Sequence, residues 1–175
     1  MAVKNTCSAF LKECMADALI QLLREKPLDK ITAQQITDLA GVGRATFFRS
    51  CSSKEDLITF KLAVLWERWA EAEKLDSRHH YRIGDALSFF RFNYSIRDMY
   101  GVLRQAGLQA AIYEAFYQVI APRYGVDSFE CYTNRFYSYG LFGMLDEWYK
   151  RGYAETPEQI TDIFHRAVAA SSQTE

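Results

Sequence analysis

Proline and glycine are scarce in this chain. Its 175 residues include only 3 Pro and 9 Gly, too few for the many turns of an all-β protein, so the expectation is an all-α fold. Cysteine is sparse and unpatterned. Cys7, Cys14, Cys51 and Cys131 form no C-x-x-C, and no histidine stands at metal-ligand spacing from them. That excludes a disulfide framework or a zinc site as the organising feature, and leaves buried, reduced thiols as the expectation. No apolar run approaches the length that crosses a membrane. Glu13 and Asp17 interrupt the one early apolar stretch, so no signal peptide is expected and the chain is read as cytoplasmic. Excess charge of one sign is also missing. Lys and Arg number 21 against 22 Asp and Glu, for a net charge of −1. The chain is therefore not basic overall, and any nucleic-acid surface has to be local. There is no Ser/His/Asp constellation, no P-loop and no glycine-rich turn after a strand, so no enzyme and no cofactor are expected. His79 and His80 are adjacent on a polar segment without carboxylate or thiol partners at useful spacing. They read as a solvated loop and not as a metal site.

What is present is apolar and charged in globular proportion, 49% and 25%. Phe10, Leu11, Cys14, Met15, Ala18, Leu19, Leu22 and Leu23 recur at helical spacing, and Pro27 marks the end of that amphipathic helix. The stretch Ile31 to Ile36 writes a helix start twice over. Thr32 and Gln35 make a capping box, and Ile31 and Ile36 make a hydrophobic staple. This helix runs to about Ala40, where Gly41 supplies a turn and Val42 plugs it into the core. A second short helix follows from about Arg44 to Arg49. Ser52 with Glu55, or Ser53 with Asp56, caps a long helix running through Leu57, Trp66 and Trp69 to about Leu75. The polar segment 76–82 reads as a loop. Residues 83–122 read as two or three helices, broken near Arg97–Gly107 and stopped by Pro122. Residues 128–151 form a long aromatic helix with Gly152 beyond its end. Thr156, Pro157 and Gln159 cap a last helix bearing Ile160, Ile163, Phe164, Ala167 and Val168.

Two short helices joined by a tight glycine turn, with an amphipathic helix before them, are the layout of a helix-turn-helix. Between Leu39 and Lys54 the chain carries three cations and no acid. Arg44, Thr46 and Arg49 are expected to project outward and Phe47 to anchor inward. Lys54, at the start of the next helix, is expected to meet phosphate together with that helix's free amides. The plain alternative is a helical core segment with incidental charges.

The segment ITAQQITDLAGVGRATFFRSCSSKEDLI resembles the DNA-binding region of the TetR family of bacterial transcriptional regulators. The match lies at Thr32, Ile36, Ala40, Gly41, Val42, Thr46, Phe47, Lys54, Glu55 and Leu57. The resemblance implies that Thr32, Gly43, Arg44, Ala45, Thr46, Phe48, Arg49 and Lys54 lie against double-stranded DNA. It also implies about nine helices, a DNA-binding domain over 1–56 and a helical regulatory and dimerisation domain over 57–175. Phe48 stands where the family usually has a Tyr that contacts phosphate. Gly43 replaces a Ser cap, Ser50 a His or Tyr, and Cys51 a core Phe.

The stretch FYSYGLFGMLDEWYKRGYAETPEQITDIF resembles the C-terminal region of the subgroup that includes the activator of dihydroxyacetone kinase operons. By that resemblance the last two helices form a homodimer interface through Tyr132, Phe136, Tyr139, Gly140, Gly143, Met144, Ile160, Ile163 and Phe164. The same residues also read as intrachain core. Phe89, Phe92, Tyr94, Tyr113, Phe116, Tyr117 and Tyr137 either line a pocket for a small apolar or aromatic effector or simply fill the core. The function expected is a ligand-responsive, homodimeric regulator, most plainly a repressor of a palindromic operator. The alternative is a regulator whose C-terminal domain takes a protein co-regulator in place of a small molecule.

Overall fold

The computed structural model describes residues 7–75, 85–120 and 127–171. The segment 76–82 with His79 and His80, and the stop at Pro122, lie outside them. Among the described residues every regular element is helical. The helices are α1 (Cys7–Leu23), α2 (Ala33–Leu39), α3 (Arg44–Ser50), α4 (Lys54–Ala72), α5 (Ala86–Ser95), α6 (Arg97–Gln105), α7 (Gln109–Ile120), α8 (Ser128–Lys150) and α9 (Pro157–Ser171). A short 3-10 turn, Leu28–Lys30, links α1 to α2.

The caps explain where the helices begin and end. The Thr32 hydroxyl accepts from the Gln35 amide at 3.2 Å while the Gln35 side chain accepts from the Thr32 amide at 3.1 Å. Thr156 and Gln159 repeat the box before α9 at 3.3 and 2.8 Å. Before α4 the working cap is Ser53, whose hydroxyl accepts from the Asp56 amide at 3.1 Å. Asp127 caps α8, accepting from the Glu130 amide at 2.8 Å. At the other ends, Gly41, Gly107 and Gly152 take positive φ after α2, α6 and α8. Each carries the paired backbone bonds of a Schellman motif, for example Gly41 N–H to Asp38 and Val42 N–H to Thr37. The same motif ends α4 with Lys74 at φ 55° in the glycine position.

The region 97–107, expected to be a break, holds the helix α6 over Arg97–Gln105. Tyr100 and Leu103 on α6 are buried at one-turn spacing, and the breaks fall at Ile96 and Gly107. Phe10, expected on the buried face of α1, is exposed.

The chain gathers into two compact units that do not follow chain order. The first takes residues up to Arg68 and returns for Met99–Val119. Its core includes Met15, Leu19, Ile36, Leu57, Leu62, Trp66, Leu103 and Phe116. Trp66 and Phe116 meet edge to face at 5.2 Å. Ion pairs run from α1 to α4: Lys12 to Asp56 at 3.2 Å, Lys61 to Glu13 at 2.9 Å, and Arg68 to Glu13 at 2.7 Å.

The second unit takes Trp69–Asp98 and the residues from Ile120 onward. Phe90 is fully buried against Trp148 at 5.9 Å and Phe164 at 6.0 Å. Each such aromatic pair adds about 0.5–1.5 kcal/mol beyond simple burial. On α8, Ser138, Leu141, Leu145 and Trp148 are the buried residues, spaced to form one inner stripe. The domain boundary expected between residues 56 and 57 lies within the first turn of α4.

Candidate nucleic-acid interface

The α3 helix divides cleanly into two faces. Thr46 and Phe47 are buried, at 9% and 7% exposure, while Arg44, Ala45, Phe48 and Arg49 are all exposed. On a seven-residue helix these sets occupy opposite sides. Only one of the adjacent phenylalanines can therefore reach the core. Phe47 packs inward and Phe48 stands at 63% exposure, their rings edge to face at 5.5 Å. The Arg44 guanidinium lies 5.7 Å from the Phe48 ring centroid. Gly43 is the N-cap in extended conformation, and its amide and carbonyl frame the start of the helix. A Cβ at Gly43 would meet nothing within 4 Å among the described residues.

Thr46 was expected on the outward face, and its side chain turns inward instead. Its position one turn from Ser50 and beside Phe47 places it on the packed side, so it supports α3 and does not present it. Thr32 is exposed, with its oxygen used in the cap and its O–H proton still available to donate.

Lys54 also departs from expectation. Its ammonium donates to the carbonyls of Leu28 and Ile31, the latter at 3.0 Å. The amine thus joins the start of α4 to the turn before α2, which leaves it one remaining donor. This tie was invisible in the sequence, because backbone carbonyls carry no residue signature.

Cys51 ends α3. Its thiol donates to the Phe47 carbonyl at 3.1 Å, and burial pushes its pKa up to about 11. It is a protonated structural thiol at neutral pH. Cys7 and Cys131 are exposed free thiols, and Cys14 and Cys51 are half-buried, which corrects the expectation of four buried thiols.

In the second half of the chain the expected pocket residues divide between the two units. Tyr113, Phe116 and Tyr117 belong to the first, and Phe89, Phe92, Tyr94 and Tyr137 to the second. Phe89 and Phe116 are buried to 1% exposure as core. Phe92 stacks on Trp69 at 5.6 Å, and Tyr94 stacks on Trp148 at 5.6 Å. Tyr137 is 54% exposed. It is a surface residue, standing one turn before Leu141 at the edge of the buried stripe of α8.

Two polar groups that the sequence did not single out stand out here. The Trp66 indole N–H and the Asn93 side-chain oxygen are buried and lack a hydrogen-bond partner among the described residues. The Asn93 amide nitrogen is used, donating to Phe89 O at 2.9 Å. Nothing in a lone Asn or Trp at helical spacing signals such an orphan.

The residues expected at a dimer interface also separate. Tyr132, Phe136 and Tyr139 are exposed on α8, Phe136 at 74%, and Phe129 joins them. A Cβ at Gly140 or Gly143 would meet nothing within 4 Å among the described residues. Residues 129, 132, 136, 139, 140 and 143 form one outward stripe opposite the buried one. Ile163 on α9 is exposed and Met144 is half-buried. Ile160 and Phe164 are not available to a partner. They are buried within the chain, on the side of α9 that packs against α5.

Residues 16–59, spanning α1 from Ala16 to the start of α4, match the model for bacterial regulatory proteins of the tetR family. Residues 95–169 match a transcriptional-regulator C-terminal region. The two matches together span about two thirds of the chain. Among curated proteins nothing matches it. No described helix is long and apolar enough to cross a membrane.

Proposed function

The chain belongs to the tetR family of bacterial regulatory proteins, and from this premise we propose that it is a homodimeric, ligand-responsive repressor that binds a palindromic operator from the cytoplasm. In this reading residues 1–56 are the reading head and 57–175 the regulatory and dimerising body. The observation that carries the DNA-reading part is the exposed face of α3, with two arginines, an alanine and a phenylalanine outward and no acid among them.

A recognition helix enters the major groove and presents its outward side chains to base edges, while neighbouring cations and amides meet phosphate. Arg44 sits at the first helical position, where a long fork reaches the groove floor. Arg49, at the far end, is placed for backbone phosphate. Thr32, at the start of α2, offers a hydroxyl proton to phosphate, and Lys54 offers its remaining donor.

The homodimer is supported by the outward stripe of α8 with its two open glycines. Such a contiguous aromatic surface on a soluble domain marks an interaction site. Effector response is supported by the buried Asn93 side-chain oxygen of the second unit, an acceptor without a partner among the described residues that a bound donor would satisfy. In the ligand-responsive mechanism, an effector that favours one body conformation shifts the spacing of two reading heads away from the one that fits the operator.

The second reading places a protein co-regulator on the body, consistent with the sequence likeness to the dihydroxyacetone-kinase-operon subgroup. The exposed Tyr137, which lies off the α8 stripe, favours it by adding aromatic surface that a dimer along that stripe would leave uncovered.

The test is selection of bound duplexes from a random pool by the full-length protein. A two-fold symmetric site is expected, with Arg44→Ala losing about 1–3 kcal/mol of affinity and relaxing preference at one base pair. Enrichment of no duplex, or an unchanged profile for Arg44→Ala, would remove α3 from the role of reading head.

A further inference from the structure

Phe48 is a large apolar side chain on a face otherwise built of two arginines and an alanine. A merely phosphate-binding face needs cations and small polar groups, and an exposed ring adds nothing to that task. The ring is braced. It meets Phe47 edge to face at 5.5 Å, and Phe47 is itself anchored in the core. One turn earlier, the Arg44 guanidinium lies over the same ring at 5.7 Å. A planar guanidinium resting on an aromatic face keeps its N–H edge free while losing rotamer freedom. Ala45 places a methyl group on the same face.

In the major groove an arginine fork fits the O6 and N7 of guanine, and apolar side chains fit the C5 methyl of thymine. The two chemistries stand side by side on α3. We propose that α3 reads a guanine adjacent to a 5-methylpyrimidine, Arg44 pairing with the guanine and Phe48, together with Ala45, packing on the methyl group. The ring then does two things. It contacts the methyl directly, and it holds Arg44 in place for the neighbouring base. This inference rests on the reading of α3 as the recognition helix, and it adds which base step that helix reads.

The test uses the full-length protein and a duplex selected from a random pool. Each thymine is replaced singly by uracil, which removes only the methyl, and each guanine by 7-deazaguanine, which removes only N7. At one or more thymines the parent is expected to lose about fourfold in affinity, the worth of one buried methyl group. Phe48→Ala should show a clearly smaller loss at that position, with only the Ala45 contact remaining, and Phe48→Tyr, which keeps the ring, should retain it. At the adjacent guanine, 7-deazaguanine should weaken the parent about tenfold and leave Arg44→Ala unaffected. Phe48→Ala should show a smaller guanine effect than the parent, since Arg44 has lost its support. Because Phe48 and Arg44 are exposed, equal thermal melts will show that the variants fold.

Uracil effects of the same size in parent and Phe48→Ala would overturn the proposal, as would a methyl-sensitive thymine with no guanine beside it. A duplex bound with normal salt dependence but no methyl coupling would sink this inference alone. Enrichment of no duplex at all would sink the regulator reading with it.

Discussion

At the first position of α4 the Lys54 ammonium reaches back 23 and 26 residues to the carbonyls of Ile31 and Leu28. Hydrogen bonds to a charged group contribute about 1.5–3 kcal/mol when the acceptors are otherwise left dry. Lys54→Ala is therefore expected to lower unfolding stability by about 1.5–3 kcal/mol in urea titrations. It should also weaken DNA binding for all sequences alike, because the turn before α2 loses its tether. Arg44→Ala should leave the urea midpoint unchanged, since its side chain is exposed. Finding both variants equally stable would return Lys54 to a purely phosphate-facing role. The sequence marked Lys54 as a cation near the reading head but could not disclose what it touches. Thr46 was misplaced for a related reason: a small polar residue on a seven-residue helix fits either face by composition alone, and only packing against its neighbours decides.

Among the elements, the four Schellman ends offer an internal comparison. Gly41 adopts φ +66° with open space where a methyl group would stand, and Lys74 adopts φ 55° with a side chain already in place. A left-handed conformation costs an L-residue about 1–2 kcal/mol, partly offset by the lower entropy of its unfolded chain. Gly41→Ala should therefore destabilise by about 1 kcal/mol, and Lys74→Gly should stabilise by about 0.5–1 kcal/mol. Thermal unfolding of the two variants checks both signs, and a stabilising Gly41→Ala would contradict the strain argument.

The α1–α4 ion cluster makes a second demand at this scale. Hydrogen bonds from the Arg68 guanidinium, and then the Lys61 ammonium, hold the Glu13 carboxyl below its ordinary range despite partial burial. A carboxyl depressed in the folded state contributes stability above its unfolded pKa and loses it as pH falls through the folded value. Stability should thus decline from about pH 4.5 downward, and Glu13→Gln should flatten that decline in acid denaturant titrations. An identical acid profile in the variant would remove Glu13 from the linkage. The capping boxes and glycine stops of these elements were readable because each is a local pattern of a few residues. The ion cluster was not, since its partners stand 44 to 55 residues apart. The α6 helix was missed because its polar stretch hides just two buried anchors, Tyr100 and Leu103.

At the scale of the whole molecule, the outward stripe of α8 is an exposed aromatic surface among the described residues. Gly140, Gly143 and the aromatics beside them, which the sequence offered as a contact surface, share one exposed side of α8. Ile160 and Phe164 were not separable from them in the sequence, because α9 carries apolar residues on two sides and only the fold shows which side meets α5. Since a Cβ at Gly143 would meet nothing within 4 Å among the described residues, Gly143→Trp should fold normally. It is expected to shift sedimentation toward monomer and to weaken operator binding. A folded variant that stays dimeric would move the interface off this stripe.

The two-sidedness of α3 has a consequence for descent. Thr46 and Phe47 hold the helix, while Arg44, Ala45, Phe48 and Arg49 face outward and bury nothing essential to the fold. Exposed substitutions of this kind change stability by about half a kcal/mol or less. A duplicated copy of this gene can therefore drift toward a new target one outward side chain at a time, with each intermediate still folded and open to selection.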